Sequence, residues 1–152
     1  MAVFAGIDIY LPEKYREYFQ TYCQTRADGR KNSALYKPFP RMVDMWFLAV
    51  CVAVCKGLKP ELRESRGTYK AIDGAVFASD EWREKALQLI ALETKKDVKI
   101  LNDPREVMRI ANGYALAGLP LVIEALESSG GEAPLDTLSD FVEELIRERV
   151  TQ

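Results

Sequence analysis

The chain has 152 residues, which is enough for one ordinary domain and short for two. Hydrophobic residues make up 48% and charged residues 29% of it, a composition typical of a globular protein and not of a disordered or fibrous one. Histidine is absent, which excludes a Ser-His-Asp triad, histidine metal ligands and a histidine pH switch. The net charge of -2 hides a division: residues 1–70 carry 12 Lys and Arg against 7 Asp and Glu, whereas residues 71–152 carry 9 against 16.

The first predicted helix begins at Leu11–Pro12–Glu13, because proline and an acidic residue both suit the first turn. Apolar residues recur along it at helical spacing: Leu11, Tyr15, Tyr18, Phe19 and Tyr22. The turn signal at 27–30 ends this helix, and a basic, irregular connection runs over 26–41.

The second predicted helix begins near Pro40 and ends at Lys56, with Gly57 as its C-terminal cap. Its residues 45–55 are apolar on every side, which is typical of a helix at the centre of a core. This run of eleven residues is too short to span a membrane, which takes roughly 20. After it, the sequence over 69–77 predicts one short β-hairpin with a tight turn at Asp73–Gly74.

Three or four more helices are predicted in the second half, which makes five or six in all. One is capped by Ser79–Asp80 and runs to Glu93, and the next begins at Asp103–Pro104. Gly118 and Pro120 are expected to interrupt or kink that helix before residues 121–126. A loop follows, and the last helix is amphipathic, with its inner face predicted from Leu135, Leu138, Phe141, Val142, Leu145 and Ile146. The fold class is therefore mainly α: one domain over 1–152, with an N-terminal helix and connection in 1–38 and a helical core in 39–149.

Cys23, Cys51 and Cys55 are the three cysteines. Their odd number, and the position of two of them in an apolar helix, favour free thiols in a reducing cytoplasm. Cys51 and Cys55 share a helix face, so they either pack in the core or form a two-thiolate metal or redox pair. The core interpretation is preferred, because no nearby residue completes a ligand set. No secretory signal is expected, since the N-terminus has no basic segment before an apolar one.

Motifs for catalysis are missing. The sequence has neither G-x-x-x-x-G-K-[ST] nor G-x-G-x-x-G, and a nucleophile has no histidine base. Two acidic clusters are predicted to lie on solvent-exposed helix faces: Asp80, Glu81 and Glu84, and Glu143, Glu144 and Glu148. We therefore expect no enzyme, no cofactor and no metal site, although a metal-dependent nuclease built on carboxylates stays open as an alternative.

The basic connection is the strongest candidate site. Five cations are interleaved with Tyr36 and Phe39 and are predicted to contact DNA phosphates: Arg26, Arg30, Lys31, Lys37 and Arg41. A second basic group follows the second helix at Lys56, Lys59, Arg63, Arg66 and Lys70. The basic first half and acidic second half equally suit self-association or docking onto another protein without DNA binding.

Several stretches carry a family resemblance. Residues 39–57 combine an aromatic entry, an acid, an apolar helix and a Lys–Gly end. Residues 89–97 with 100–101 form an alanine- and leucine-rich helix that ends in a Thr–Lys–Lys–Asp connection, and shorter patterns lie at 110–113 and 135–138. Together they resemble the helices of small accessory proteins associated with Dnd-type DNA phosphorothioation systems, over about residues 39–146. The resemblance implies a non-enzymatic part of a bacterial phage-defence or restriction system. Its expected partners are DNA, other proteins of the defence operon or a second copy of the chain, with no membrane.

Overall fold

The computed structural model describes residues 3–24, 33–128 and 132–151. In chain order its main elements are β1 (Ile9–Pro12), α1 (Arg16–Tyr22), α2 (Met42–Cys55), β2 (Thr68–Ile72), α3 (Glu81–Lys95), α4 (Pro104–Glu127) and α5 (Pro134–Val150). Short 3-10 helices occupy Glu13–Tyr15, Gly74–Ser79 and Val98–Asn102. The described residues confirm a mainly α fold with one small antiparallel strand pair.

The helix α2 lies at the centre, as its apolar sequence predicts. Met45 and Trp46 are fully buried, and α2 packs chiefly against α4. Its predicted cap is also confirmed: Gly57 has a φ of 69°, and the Leu58 N–H donates to the carbonyl oxygen of Ala53 at 2.9 Å. This is the Schellman arrangement, in which glycine reverses the chain and the last carbonyls find donors.

The α2–α4 contact depends on a glycine. A Cβ atom on Gly118 would lie 2.0 Å from the carbonyl oxygen of Ala49, so only glycine lets the two backbones approach this closely. The predicted interruption at Gly118 and Pro120 is wrong, because α4 is helical from Pro104 to Glu127. Half of the α4 residues are buried, on both sides of Pro120, and this burial outweighs the lost backbone hydrogen bond.

The predicted hairpin is correct in its first strand and wrong in its second. β2 does not pair with 75–77 but lies antiparallel to β1, with Leu11 opposite Tyr69. Residues 75–77 belong instead to a 3-10 helix that Asp73 caps by accepting the Ala75 N–H at 2.9 Å. The N–H of Gly74 donates to the Asp8 carboxylate at 2.9 Å, so the Asp–Gly pair joins two segments instead of forming a hairpin turn.

The first helix begins later than its sequence predicts. Residues 9–12 form a strand in which Ile9 and Leu11 are buried while Tyr10 is half exposed. This alternation is typical of a strand with one face on the core. Pro12 then precedes a 3-10 turn, and α1 covers only Arg16–Tyr22.

The helices α3 and α5, in the acidic second half of the chain, lie close to their predicted positions. α3 begins at Glu81 and extends to Lys95, two residues beyond the predicted end. α5 runs from Pro134 to Val150 and buries Leu138 and Leu145. Both helices contact α4.

Candidate functional site

The predicted DNA-contacting residues are only partly described. Arg26, Arg30 and Lys31 lie outside the described residues. The Lys37 ammonium donates to the carbonyl oxygens of Gln20 at 2.9 Å and Cys23 at 3.4 Å, both at the C-terminal end of α1. A cation there satisfies terminal carbonyls and complements the negative end of the helix dipole. This contact fastens the chain after α1 to that helix.

Arg41 also makes an internal contact. Its Nη2 atom donates to Oδ2 of Asp80 at 2.7 Å, although 44% of the side chain is exposed. Its backbone N–H donates to the Asp44 carboxylate at 2.9 Å, which satisfies a donor at the start of α2. Lys37 and Arg41 therefore each bind an acceptor within the fold.

Arg41 belongs to a larger group that we call the arginine–aspartate cluster: Arg41, Asp44, Asp80 and Arg83. In it, Arg83 donates from Nη2 to Asp44 at 2.9 Å and from Nη1 to Asp80 at 3.2 Å. Asp44 lies in the first turn of α2, and Asp80 precedes α3, so the cluster joins the N-terminal ends of these helices. Two cations and two carboxylates leave it formally neutral.

The prediction that Asp80, Glu81 and Glu84 lie on a solvent-exposed helix face is wrong for two of the three residues. Asp80 and Glu84 are buried, whereas Glu81 is exposed. Glu84 accepts the backbone N–H of Phe4 at 3.0 Å and so holds the N-terminal segment against α3. The second acidic cluster, at 143, 144 and 148, is exposed as predicted.

Aromatic rings enclose the Arg83 guanidinium. Its central carbon lies 4.9 Å from the ring centre of Phe47 and 4.7 Å from that of Trp82, within the range of cation–π attraction. The Nε atom of Arg83 is buried and has no hydrogen-bond partner among the described residues. Because its carboxylates are already paired, the cluster is suited to holding the fold together and has no free acid or base for catalysis.

The second basic group is largely paired as well. Lys56 lies 3.2 Å from Glu148, Arg63 2.9 Å from Glu61, and Lys70 3.5 Å from Asp73. The Arg63 guanidinium, hydrogen-bonded to the Glu61 carboxylate, lowers the pKa of Glu61 to about 2. These pairs scatter the charge of the first half over several small ion pairs.

The cysteines are free thiols, as predicted. Burial raises the pKa of Cys23 to about 12 and that of Cys51 to about 11. Among the described residues, no group of three or more Cys, Asp or Glu side chains is placed to hold a metal ion. Cys51 and Cys55 instead contribute to the wall of an apolar groove.

This feature, the α2–α5 groove, has a volume of about 290 Å³ and an almost wholly apolar lining. Four of its residues come from α2 and five from α5: Leu48, Cys51, Val52, Cys55, Val142, Leu145, Ile146, Arg149 and Val150. At its edge Ile146 is 58% exposed and Val150 is 78% exposed. Apolar side chains that are neighbours and remain exposed are typical of protein-binding surfaces.

The sequence pattern does not predict this surface, because it places Ile146 on the inner face of the last helix. In the structure Leu138 and Leu145 are buried, whereas Ile146 faces outward. The available signal was a second apolar line at i, i+4 and i+8, formed by Val142, Ile146 and Val150. A helix with two such lines has more apolar surface than one packed face requires.

Comparison with known proteins gives one family. A family model described as DNA sulphur modification system-associated protein 4 matches residues 30–152. This match confirms the resemblance predicted from the helix sequences. No curated protein and no solved structure matches the chain. Within the described part of the chain, every helix is too short or too polar to cross a membrane.

Proposed function

Because the chain belongs to the family of DNA sulphur modification system-associated protein 4, we propose that it is a non-catalytic accessory protein of such a system. We propose further that it acts by protein–protein association through the α2–α5 groove. The exposed side chains of Ile146 and Val150 beside this apolar groove are the observation that carries the proposal.

The electrostatics of the described residues favour this function over catalysis. Asp80 and Glu84, buried acids that could have served a reaction, accept hydrogen bonds from Arg41, Arg83 and the Phe4 backbone. A general acid or base needs a proton-transfer position open to substrate, and these carboxylates face partners inside the fold. Nothing in the described geometry favours the nuclease alternative.

The test is genetic complementation of a sulphur-modification system from which this chain has been deleted. We expect Ile146→Asp to behave as the deletion, because a carboxylate on the exposed apolar surface opposes its burial against a protein. Leu89→Asp is the matched control, since Leu89 is 65% exposed on α3 and lies outside the groove. The readouts are phosphorothioate content of digested DNA and phage plating efficiency. Equal activity of the two variants, with both folded by circular dichroism, would contradict the proposal.

Contact with DNA is a second proposal, supported by the sequence 26–31, which holds three cations and one acid. We propose that Arg26, Arg30 and Lys31 supply most of the phosphate attraction, with Lys37 and Arg41 at the end of the same segment. Exchange of the three for glutamine should abolish a gel shift that weakens as salt rises. Exchange of Lys95, Lys96 and Lys99 to glutamine is the control. Absence of any shift with duplex or nicked DNA at about 50 mM salt would refute this role.

A further inference from the structure

The exposed face of α5 has a charge pattern that complements itself. Val142, Ile146 and Val150 follow one another at four-residue intervals and line the α2–α5 groove. At about 100° per residue they fall within one stripe of the helix, with Glu143 and Arg147 side by side along one flank of it. Both charged side chains are exposed, and neither forms an ion pair within the described part of the chain.

We propose that the occupant of the α2–α5 groove is a second copy of this chain, bound so that the two α5 helices run antiparallel about a two-fold axis. This inference rests on the proposed function, because it names the partner of the same surface. A two-fold axis perpendicular to paired antiparallel helices brings the same flank of each helix together. Glu143 of one copy then meets Arg147 of the other, and symmetry repeats the pair.

The apolar residues fit the same register. When Glu143 lies opposite Arg147, the two-fold axis passes beside Leu145, and Ile146 of each copy falls between Val142 and Ile146 of the other. The exposed Ile146 side chain thereby packs between apolar side chains of the other copy, and Val150 extends the contact along the helix. In a parallel pairing, the flank that carries Glu143 would face the opposite flank of the partner helix. Glu143 would then have no cation opposite it at the same height along the helix.

The charges near the groove favour this occupant over an unrelated apolar segment. Lys56, on the α2 side, is already paired with Glu148 at 3.2 Å, so it does not require an acidic residue from a partner. Glu143 and Arg147 form no ion pair within the described residues and are of opposite sign, so a partner that offers one charge of each sign in reversed order complements them. Arg149, which lines the groove, lies on the other flank of the apolar stripe. The antiparallel copy of the same helix meets that requirement without any further assumption.

The experiment is sedimentation velocity on the purified chain over a range of concentrations. We expect a species of twice the 17.2 kDa chain mass at about 100 µM. Glu143→Arg and Arg147→Glu should each raise the dimer dissociation constant about tenfold, because each places like charges together twice. The double variant, which restores opposite signs, should return it to near the wild-type value.

Two further variants separate this inference from a loss of fold. Ile146→Asp should give a monomer, whereas Leu89→Asp should still dimerise, and all variants should retain the wild-type circular dichroism spectrum. A monomeric wild-type chain at about 100 µM overturns the inference. The inference is also overturned if the dissociation constant of the double variant does not return to near the wild-type value, because that result excludes the antiparallel register.

The outcomes for the two proposals are distinguishable. A monomeric chain whose Ile146→Asp variant still fails in complementation refutes the second copy and supports binding of a different protein. A dimer that Ile146→Asp dissociates without loss of complementation supports the second copy and refutes the functional role of the groove. A dimer lost together with complementation supports both.

Discussion

Replacement of Arg83 by methionine tests whether the arginine–aspartate cluster holds the N-terminal ends of α2 and α3 together. Its guanidinium lies 2.9 Å from Asp44 and 3.2 Å from Asp80, and its side chain is 5% exposed. Methionine keeps most of the stem that packs beside Phe47 and Trp82 but removes the charge. We therefore expect a loss of stability from unpaired carboxylates and not from a cavity.

The magnitude follows from the contacts that remain. Removal of one partner of a buried ion pair costs about 3–5 kcal/mol. Arg41 stays 2.7 Å from Asp80, so one carboxylate keeps a cation. The Nε atom of Arg83 is buried without a partner among the described residues, and its removal relieves part of a desolvation penalty of about 1–3 kcal/mol. Together these terms reduce the expected loss in the free energy of unfolding to about 2–4 kcal/mol.

The assay is urea unfolding followed by far-ultraviolet circular dichroism. With a slope of about 2 kcal/mol per molar urea, the midpoint of Arg83→Met should fall by about 1–2 M. Arg41→Met is the matched control: its side chain is 44% exposed, so it should lose about 1 kcal/mol or less. The Arg83 effect should persist in about 1 M NaCl, because buried pairs are weakly screened. Equal losses for the two variants, or a loss that salt removes, would refute the reasoning.

Three further predictions test the packing. Gly118→Ala should lower the free energy of unfolding by about 3 kcal/mol, since its Cβ would lie 2.0 Å from the Ala49 carbonyl oxygen. Gly6→Ala is the control and should leave the stability unchanged, because a Cβ there would meet no atom within 4 Å. Equal thermal midpoints of the two variants would contradict this prediction. Gly57→Ala should cost about 1 kcal/mol in urea unfolding because φ is 69°, and an unchanged midpoint would argue against the cap. At pH 8, Cys51 in a variant with no other cysteine should react with a disulfide reagent about a hundredfold more slowly than free cysteine, because burial raises its pKa to about 11; a rate within tenfold would refute this.

The helices were predictable because their signals are local. The apolar run of α2, the glycine after it and the Asp103–Pro104 start of α4 lie within or beside the helices they define. β1 carried only four residues of alternation and pairs with β2, more than fifty residues later in the chain. A pairing of that range leaves little trace in either segment, so the helix signal of Pro12 and Glu13 dominated the prediction.

The buried cluster was unpredictable for the same reason. Asp80 and Glu84 resemble ordinary acidic residues at the start of a helix, and their partners are distant in the sequence: Arg41 donates to Asp80, and the Phe4 N–H donates to Glu84. In the candidate groove the spacing of Val142, Ile146 and Val150 was visible, but which apolar line of α5 faces the core depends on α2 and α4. Periodicity gives the number of apolar faces and not the identity of the packed one.

The charge division of the sequence acquires a different meaning in the folded chain. Among the described residues, four ion pairs join the basic first half to the acidic second half: Arg41–Asp80, Asp44–Arg83, Lys56–Glu148 and Lys70–Asp73. Part of the charge that suggested an external partner is therefore satisfied internally. On α5, by contrast, apolar side chains remain exposed beside charged side chains, Glu143 and Arg147 among them, that form no ion pair within the described residues. Burial of Ile146 and Val150 would then supply the affinity of an association at this surface, while Glu143 and Arg147 would set its direction.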